Sequence, residues 1–188
     1  MRGRASRAAH AALLALVARE TGEAGWRLRR EASGRPVLVS AAGAAGPAVS
    51  LSHSSAAIAV AMAWTGRVGI DIERHRRRDF EALAGYAFGP AEQREVAGEG
   101  AAAFYRIWCQ REAIAKATGE GLARVTDGRD IAAGDWQLSH WSIGGEYSLA
   151  IAADAAGSVR RVMSHHGSKR ATRKPILGLR IRGESPLR

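Results

Sequence analysis

The chain has 188 residues, 46% of them hydrophobic, which suits one compact domain or two small lobes with a sizeable core. The net charge of +10 is uneven: residues 157–188 hold nine Lys or Arg and one acid (net +8), so residues 1–156 carry only +2, which argues against a nucleic-acid interface on the body of the chain. The lone Cys109 excludes an intrachain disulfide and favours a reducing cytoplasm, and the chain lacks the run of about 20 apolar residues that a membrane span needs.

The predicted elements intersperse helices and strands. In chain order they are a helix over 5–21, a strand, turn and strand over 26–39, a loop over 41–48, two short strands around a polar SHSS turn over 49–64, a strand over 67–73, helical stretches over 80–98, the longest helix over 101–118 and two strands over 135–153. This order predicts an α+β fold in which the late strands pair antiparallel.

The basic segment 157–188 mixes Gly, Ser and Pro without a clear period. This composition predicts a disordered tail or a weakly docked arm. Nucleic-acid binding through this tail is kept as the least favoured alternative function.

The stretch VGIDIE (68–73) carries the first chemical signal. Side chains alternate along a strand, so the aliphatic residues face a core and Asp71 and Glu73 lie side by side on the other face. Adjacent carboxylates repel each other, and a divalent cation such as Mg²⁺ resolves that repulsion. A solvated acidic face is the alternative interpretation.

A second signal lies on the long helix. Trp108, Glu112 and Lys116 are spaced four apart and therefore share one face. The pair could be an ordinary Glu–Lys contact worth about 0.2–0.5 kcal/mol. However, Lys116 is the only lysine before residue 157, and a lysine, unlike an arginine, has a pKa that can be lowered for proton transfer.

Two weaker signals come from the first third of the chain. His53 lies between serines, which would suit phosphate binding, although a locally bonded turn histidine is the more frequent case. The GRP stretch (34–36) is a turn that contains a cation.

Taken in order, five segments resemble the 4′-phosphopantetheinyl transferases, in the larger two-lobed form that activates surfactin-synthetase-like carrier proteins. The matching segments are GRPVL (34–38), VSLSHS (49–54), VGIDIE (68–73), YAFGPAE (86–92) and WCQREAIAKATGEGL (108–122). The resemblance implies two similar α+β lobes in a pseudo-twofold arrangement, with residues 1–66 and 67–156 as the lobes and the active site in the cleft between them.

The resemblance also implies the reaction. A holo-carrier synthase of this kind moves the phosphopantetheine arm of coenzyme A onto a serine of an acyl- or peptidyl-carrier protein and releases 3′,5′-ADP. It implies a cytoplasmic monomer with Mg²⁺, or alternatively Mn²⁺, as cofactor. A coenzyme A or carrier-binding protein with weak or lost transferase activity is the alternative.

Site roles follow from the resemblance one residue at a time. Asp71, Glu73 and Glu112 match the metal site, and Glu112 also matches the residue that takes the proton from the acceptor serine. Lys116 matches the lysine that contacts the coenzyme A phosphates and protonates the leaving group. Asp71 also belongs to the positions expected to contact coenzyme A.

The remaining positions implied by the resemblance bind the nucleotide end of coenzyme A. Ser52 and His53 match the pair of residues at a strand end that binds the phosphate region of the nucleotide in this family. Arg35 replaces the lysine of the family's GKP stretch. Arg7 matches a phosphate-binding arginine before the first helix. Glu92 matches an acidic position near the site. Two departures are Arg111, where lysine is usual, and the basic tail.

Overall fold

The computed structural model describes residues 2–131, 136–154, 158–164 and 176–182. Within these ranges it has five helices and nine strands. The helices are α1 (Arg2–Thr21), α2 (Phe80–Ala87), α3 (Pro90–Glu99), α4 (Ala101–Thr118) and α5 (Leu122–Val125). The strands are β1 (Arg27–Arg30), β2 (Pro36–Val39), β3 (Ala48–Ser54), β4 (Ala57–Ala63), β5 (Val68–Arg74), β6 (Gln137–Ile143), β7 (Tyr147–Ala153), β8 (Ser158–Ser164) and β9 (Ile176–Arg182).

The first part of the chain packs a helix against a hairpin. Leu13, Leu16 and Val17 of α1 are buried in one apolar cluster with Val60 and Met62 of β4. The β1 and β2 strands form the predicted antiparallel hairpin around the GRP turn. This hairpin brings the turn toward the end of α4, which matters for the site.

A three-stranded antiparallel sheet, in the order β5-β7-β6, supports the longest helix. This sheet confirms the predicted antiparallel pairing of the late strands. Helix α4 ends at Gly119, whose φ of 82° is the left-handed conformation that ends many helices. The helix approaches β5 closely at Gly69, where a Cβ would lie 1.8 Å from the carbonyl oxygen of Ala113. Only glycine permits this approach.

The position of the turn between β3 and β4 differs from the prediction. Ser52, His53 and Ser54 belong to β3, and the chain turns at Ser55 and Ala56 instead. The polar SHSS stretch has a composition typical of turns. Its hydroxyls on Ser52 and Ser54 donate hydrogen bonds to Asp71 and Glu73 of β5, and this allows the stretch to form an extended strand. As a result, Ser52 and His53 point to opposite faces of the strand.

Two strands, over residues 158–164 and 176–182, lie within the basic tail, for which the sequence predicts either disorder or a weakly docked arm. Strand β9 pairs in parallel with β4 and antiparallel with β8, giving the sheet order β3-β4-β9-β8. The physical reason is that β4 pairs with β3 along one edge and offers unpaired N–H and C=O groups along the other. The rest of the tail lies outside the described residues.

The observed elements confirm an α+β protein built from small sheets and helices. Across the described residues, no helix has both the length and the apolar character needed to cross a membrane.

Candidate functional site

Strand β5 places its residues as the alternation predicts. Val68, Ile70 and Ile72 are buried in one apolar cluster with β4 and β7. The opposite face of the strand carries Gly69, Asp71 and Glu73, and the contact at Gly69 shows that this face meets α4.

Asp71 is a buried carboxylate, with 3% of its surface exposed. Its Oδ1 accepts a hydrogen bond of 2.8 Å from the Ser52 hydroxyl and one of 2.6 Å from the Lys116 ammonium. The ammonium also donates to the Ser52 Oγ at 3.0 Å. The other oxygen of Asp71, Oδ2, is buried and has no hydrogen-bond partner within the described part of the chain. Such an atom is costly to bury unless a ligand satisfies it.

Glu73 lies at the open end of the same face. The Ser54 hydroxyl donates to it at 2.9 Å and accepts from the backbone N–H of Arg74. Burial and the negative charge of Asp71 raise the pKa of Glu73 above its usual value, although the Ser54 hydrogen bond opposes them. The two carboxylates therefore repel each other, as the sequence indicates.

Helix α4 brings Glu112 and Lys116 to these carboxylates. Both residues are half-buried on the predicted face. The Glu112 carboxylate accepts no hydrogen bond from the residues that the structure describes, and burial together with the charges of Asp71 and Glu73 raises its pKa.

The electrostatics of Lys116 differ from the expectation of a lowered pKa. Burial alone lowers the pKa of the ammonium, but the charge of Asp71, the hydrogen bond to it and the charge of Glu112 together raise it above its usual value. Lys116 is therefore a fully charged ammonium, with 30% of its side chain exposed. Any role as a proton donor begins from this protonated form.

A cavity of about 420 Å³ opens beside Glu112 and Lys116. Its wall includes Arg30 and Arg35 from the β1–β2 hairpin and the backbone of Gly119. Arg35 forms a 3.0 Å ion pair with Glu31. The cavity therefore has three cationic side chains in its wall, those of Arg30, Arg35 and Lys116, and one carboxylate, that of Glu112. This environment suits an anionic ligand such as a phosphate ester. Arg30 was not singled out from the sequence, because nothing in its own strand distinguishes it from the neighbouring arginines.

Three other candidate residues do not line this cavity. His53 is exposed on the opposite side of β3 from Ser52. Ser52 is buried and bonds Asp71 and Lys116, so it contacts the carboxylate cluster instead of the cavity. Arg7 lies within α1 and is exposed, as the predicted helix over 5–21 requires, whereas the family resemblance implied a position before the first helix.

The side chains proposed as metal ligands have the right chemistry for a metal ion, but they are not arranged around a common point. No three His, Cys, Asp or Glu side chains in the described ranges are arranged to hold a metal ion. The chemistry of the donors nevertheless fits a hard divalent cation, because Asp71 has an unsatisfied buried oxygen and Glu112 a free carboxylate.

Glu92 and Arg111 form a buried ion pair beside the site. Arg111 is 2% exposed and donates to the Glu92 Oε2 at 3.0 and 2.5 Å. It also donates to the carbonyl oxygens of Val125 and Arg129 and to the Asp127 carboxylate at 3.1 Å. This pair joins α3, α4 and the segment after α5, and it does not line the cavity. A buried arginine next to Glu112 had no signal in the sequence beyond its departure from the usual lysine.

Comparisons with known proteins find one family for the second part of the chain. Residues 67–159 match the 4′-phosphopantetheinyl transferase superfamily (ACPS). The chain is similar to the 4′-phosphopantetheinyl transferase HetI of Nostoc sp. (strain PCC 7120), with 33% identity over 102 residues, which are 52% of this chain and 43% of that protein. It is also similar to the 4′-phosphopantetheinyl transferase AcpT of Salmonella typhi, with 43% identity over 74 residues, which are 37% of this chain and 38% of that protein. The similarity thus spans less than half the length of either relative.

Proposed function

We propose that this protein transfers the phosphopantetheine arm of coenzyme A to a serine of an acyl- or peptidyl-carrier protein, because residues 67–159 match the 4′-phosphopantetheinyl transferase superfamily. The observation that supports this function most directly is the meeting of Asp71, Glu73, Glu112 and Lys116 beside a cavity lined by arginines. Transfer of a phosphorus-centred group depends mainly on positioning and charge stabilisation, and this cluster can supply both.

The residues of the cluster divide the work of the reaction. The acceptor serine oxygen forms a bond to the phosphorus next to pantetheine, and the bond from that phosphorus to 3′,5′-ADP breaks. Glu112, whose carboxylate has no hydrogen bond within the described residues, would take the serine proton. Lys116 binds the phosphates and holds the proton that the departing 3′,5′-ADP oxygen can receive. Arg30 and Arg35 hold the nucleotide end.

Asp71, Glu73 and Glu112 would hold Mg²⁺, with Mn²⁺ as the alternative. The bound cation would neutralise charge on the pyrophosphate. Two observations support a metal ion at this place: the Asp71 Oδ2 has no hydrogen-bond partner in the described residues, and the three carboxylates repel one another. Without the cation, Lys116 is the group that neutralises Asp71.

The proposal includes two lobes, residues 1–66 and 67–156, with the site between them. The cavity supports this arrangement, because its walls come from residues 30–36 and 50–51 on one side and 112–121 on the other. The polar contacts between β3 and β5 lie on the same boundary. The monomeric state and the cytoplasmic location stay predictions.

Incubation of the protein with coenzyme A, Mg²⁺ and an apo carrier protein tests the function. The expected result is a gain in carrier mass of one phosphopantetheine arm. Glu112→Gln and Asp71→Ala should abolish the gain, and Glu99→Gln, a matched change at an exposed position of α3, should leave it intact. No gain with several apo carriers would contradict the proposal. Coenzyme A binding without transfer would favour a binding protein instead.

The Lys116→Arg variant tests the proposed proton donor. Arginine keeps the positive charge but does not release a proton, because its pKa stays above about 12. We therefore expect a larger loss in kcat than in coenzyme A affinity. Equal losses would assign Lys116 to phosphate binding alone.

A further inference from the structure

Strand β3 meets β5 through a row of serine side chains. Ser50, Ser52 and Ser54 alternate along β3 and therefore lie on the same side of the strand. The Ser50 hydroxyl accepts a hydrogen bond of 3.1 Å from the backbone N–H of Ile70. Of the three serines, Ser54 is the one that bonds both the backbone and a carboxylate of β5 in the described residues.

The two hydrogen bonds of Ser54 restrict each other. Its Oγ accepts from the backbone N–H of Arg74 at 3.0 Å and donates to the Glu73 Oε2 at 2.9 Å. A serine hydroxyl has a single proton, so the N–H on its lone-pair side leaves that proton directed at the carboxylate. Among the described residues, Ser54 is the only hydrogen-bond donor to the Glu73 carboxylate. The orientation of Glu73 therefore depends on Ser54.

The turn that follows Ser54 fixes the position of its side chain. Ser54 pairs with Ala57, so Ser55 and Ala56 form a two-residue turn. Ser55 has a φ of 51°, in the left-handed region where residues other than glycine are uncommon. A tight turn of this kind sets the register of the two strands that it connects. An uncommon backbone conformation beside Ser54 indicates that the surrounding structure holds β3 in this register.

Cationic side chains compete with Ser54 for the Glu73 carboxylate. Glu73 lines a cavity of about 240 Å³ together with Arg74, Arg76 and Arg78. Opposite charges that share one cavity attract each other. Nevertheless, Glu73 forms no ion pair with any arginine that the structure describes, and its hydrogen bond goes to Ser54. Without the hydroxyl, the carboxylate would be free to turn toward the arginines.

We propose that Ser54 is a positioning residue for the transfer reaction, which keeps the Glu73 carboxylate on the side of β5 that carries Asp71 and away from the neighbouring arginines. Hydrogen bonds to a carboxylate that ligates a metal orient it and strengthen metal binding. The inference rests on the proposed function, in which Asp71 and Glu73 bind the divalent cation. Ser54 itself would contact neither the substrate nor the reacting atoms.

The test compares Ser54→Val with Ser54→Thr. These two side chains have the same shape and both favour strands, but threonine keeps the hydroxyl. Calorimetric titration with Mg²⁺, without coenzyme A or carrier, should show a Kd raised by about 10- to 100-fold for Ser54→Val. Ser54→Thr should stay within about threefold of the wild type, because its hydroxyl can make both hydrogen bonds.

Ser40→Val is the matched control. The Ser40 hydroxyl also accepts a backbone N–H, from Ala44 at 3.1 Å, but it bonds no carboxylate in the described residues and does not line the cavity beside Lys116. Its loss should leave the Kd for Mg²⁺ within about twofold of the wild type. Thermal melting of all three variants separates a loss of stability from a loss of metal binding.

A transfer assay gives a second measurement. Ser54→Val should raise the Mg²⁺ concentration needed for the half-maximal rate by about the same factor as the Kd, whereas kcat at saturating Mg²⁺ should fall by less than about threefold. The Ser54→Val/Arg78→Gln double variant should bind Mg²⁺ at least about threefold more tightly than Ser54→Val, because one competing cation is removed.

Each contrary result has a defined meaning. An unchanged Kd for Mg²⁺ in Ser54→Val, or an equal rise in Ser54→Thr, overturns the inference and leaves the proposed function standing. A wild-type protein that binds no Mg²⁺ overturns it as well. A double variant no tighter than Ser54→Val refutes the competition from the arginines. A wild-type protein that modifies no carrier refutes the proposed function, and the Mg²⁺ titrations still decide the role of Ser54 because they require no carrier.

Discussion

Replacing Arg111 by alanine should be among the most destabilising single changes in this protein. The side chain is 2% exposed, and its removal deprives the 6%-exposed Glu92 of its cationic partner. Two hydrogen bonds to Glu92 remain, from the backbone N–H groups of Gly89 and Ile131, and they do not neutralise its charge. Breaking a buried ion pair by removing one partner costs about 3–5 kcal/mol.

The carbonyl oxygens of Val125 and Arg129 add to this cost because each loses its hydrogen bond from Arg111. A loss of 3–5 kcal/mol corresponds to a decrease in Tm of about 6–20 °C for a protein of this size. Urea denaturation followed by circular dichroism measures the loss directly. Arg106→Ala is the matched control: its ion pair with Glu95 is partly exposed and should be worth less than about 1 kcal/mol.

The two variants separate a buried ion pair from a surface one. A cost for Arg111→Ala no larger than that of Arg106→Ala would refute the reasoning. An Arg111→Met/Glu92→Gln double variant provides a second check, since removing both charges together should be less destabilising than removing Arg111 alone. If the double variant is worse than the single one, the uncompensated charge on Glu92 is not the cause of the loss.

Three further outcomes are expected. Gly69→Ala should prevent native folding, seen as loss of the circular dichroism melting transition, because the added methyl would lie 1.8 Å from a carbonyl oxygen of α4; a stable variant would refute the close approach. Ser52→Ala should weaken Mg²⁺ binding in calorimetry by about 10- to 100-fold, because the hydroxyl orients Asp71; unchanged affinity would exclude that role. Burial alone would raise the pKa of Asp154, but hydrogen bonds from Arg67 lower it, so its contribution to stability is present above about pH 4 and is lost as the pH falls through the lowered folded pKa. Urea titrations of Asp154→Asn should therefore show a smaller loss of stability in acid than the wild type, and identical acid profiles would contradict this assignment.

Local patterns were sufficient to predict the elements that carry the site. The spacing of apolar residues and the glycine at position 119 gave the correct end for α4, and strand alternation correctly separated the core face of β5 from the face that carries Asp71 and Glu73. These features depend on short-range geometry that a sequence displays directly.

The features that local patterns did not reveal depend on partners distant in sequence. Ser52 and Ser54 have the composition of a turn, yet they belong to a strand because β5 supplies acceptors 19 residues away. Strand β9 forms where β4 offers a free edge, which no pattern within the tail reveals. The raised pKa of Lys116 likewise follows from its contact with Asp71, 45 residues earlier in the chain.

Charge balance connects Lys116 to the three carboxylates. With Asp71, Glu73 and Glu112 ionised and Lys116 protonated, the cluster carries a net charge of −2 in a largely buried region. A divalent cation would bring that sum to zero, and the phosphates of an arriving ligand would then meet Lys116 and the arginines of the cavity. A compact ammonium suits this position better than a guanidinium, because it contacts Asp71 and Ser52 at once, at 2.6 and 3.0 Å, while 30% of the side chain stays open to the cavity. The small space between β3, β5 and α4 therefore explains why position 116 has a lysine, although arginine is the basic residue elsewhere in residues 1–156.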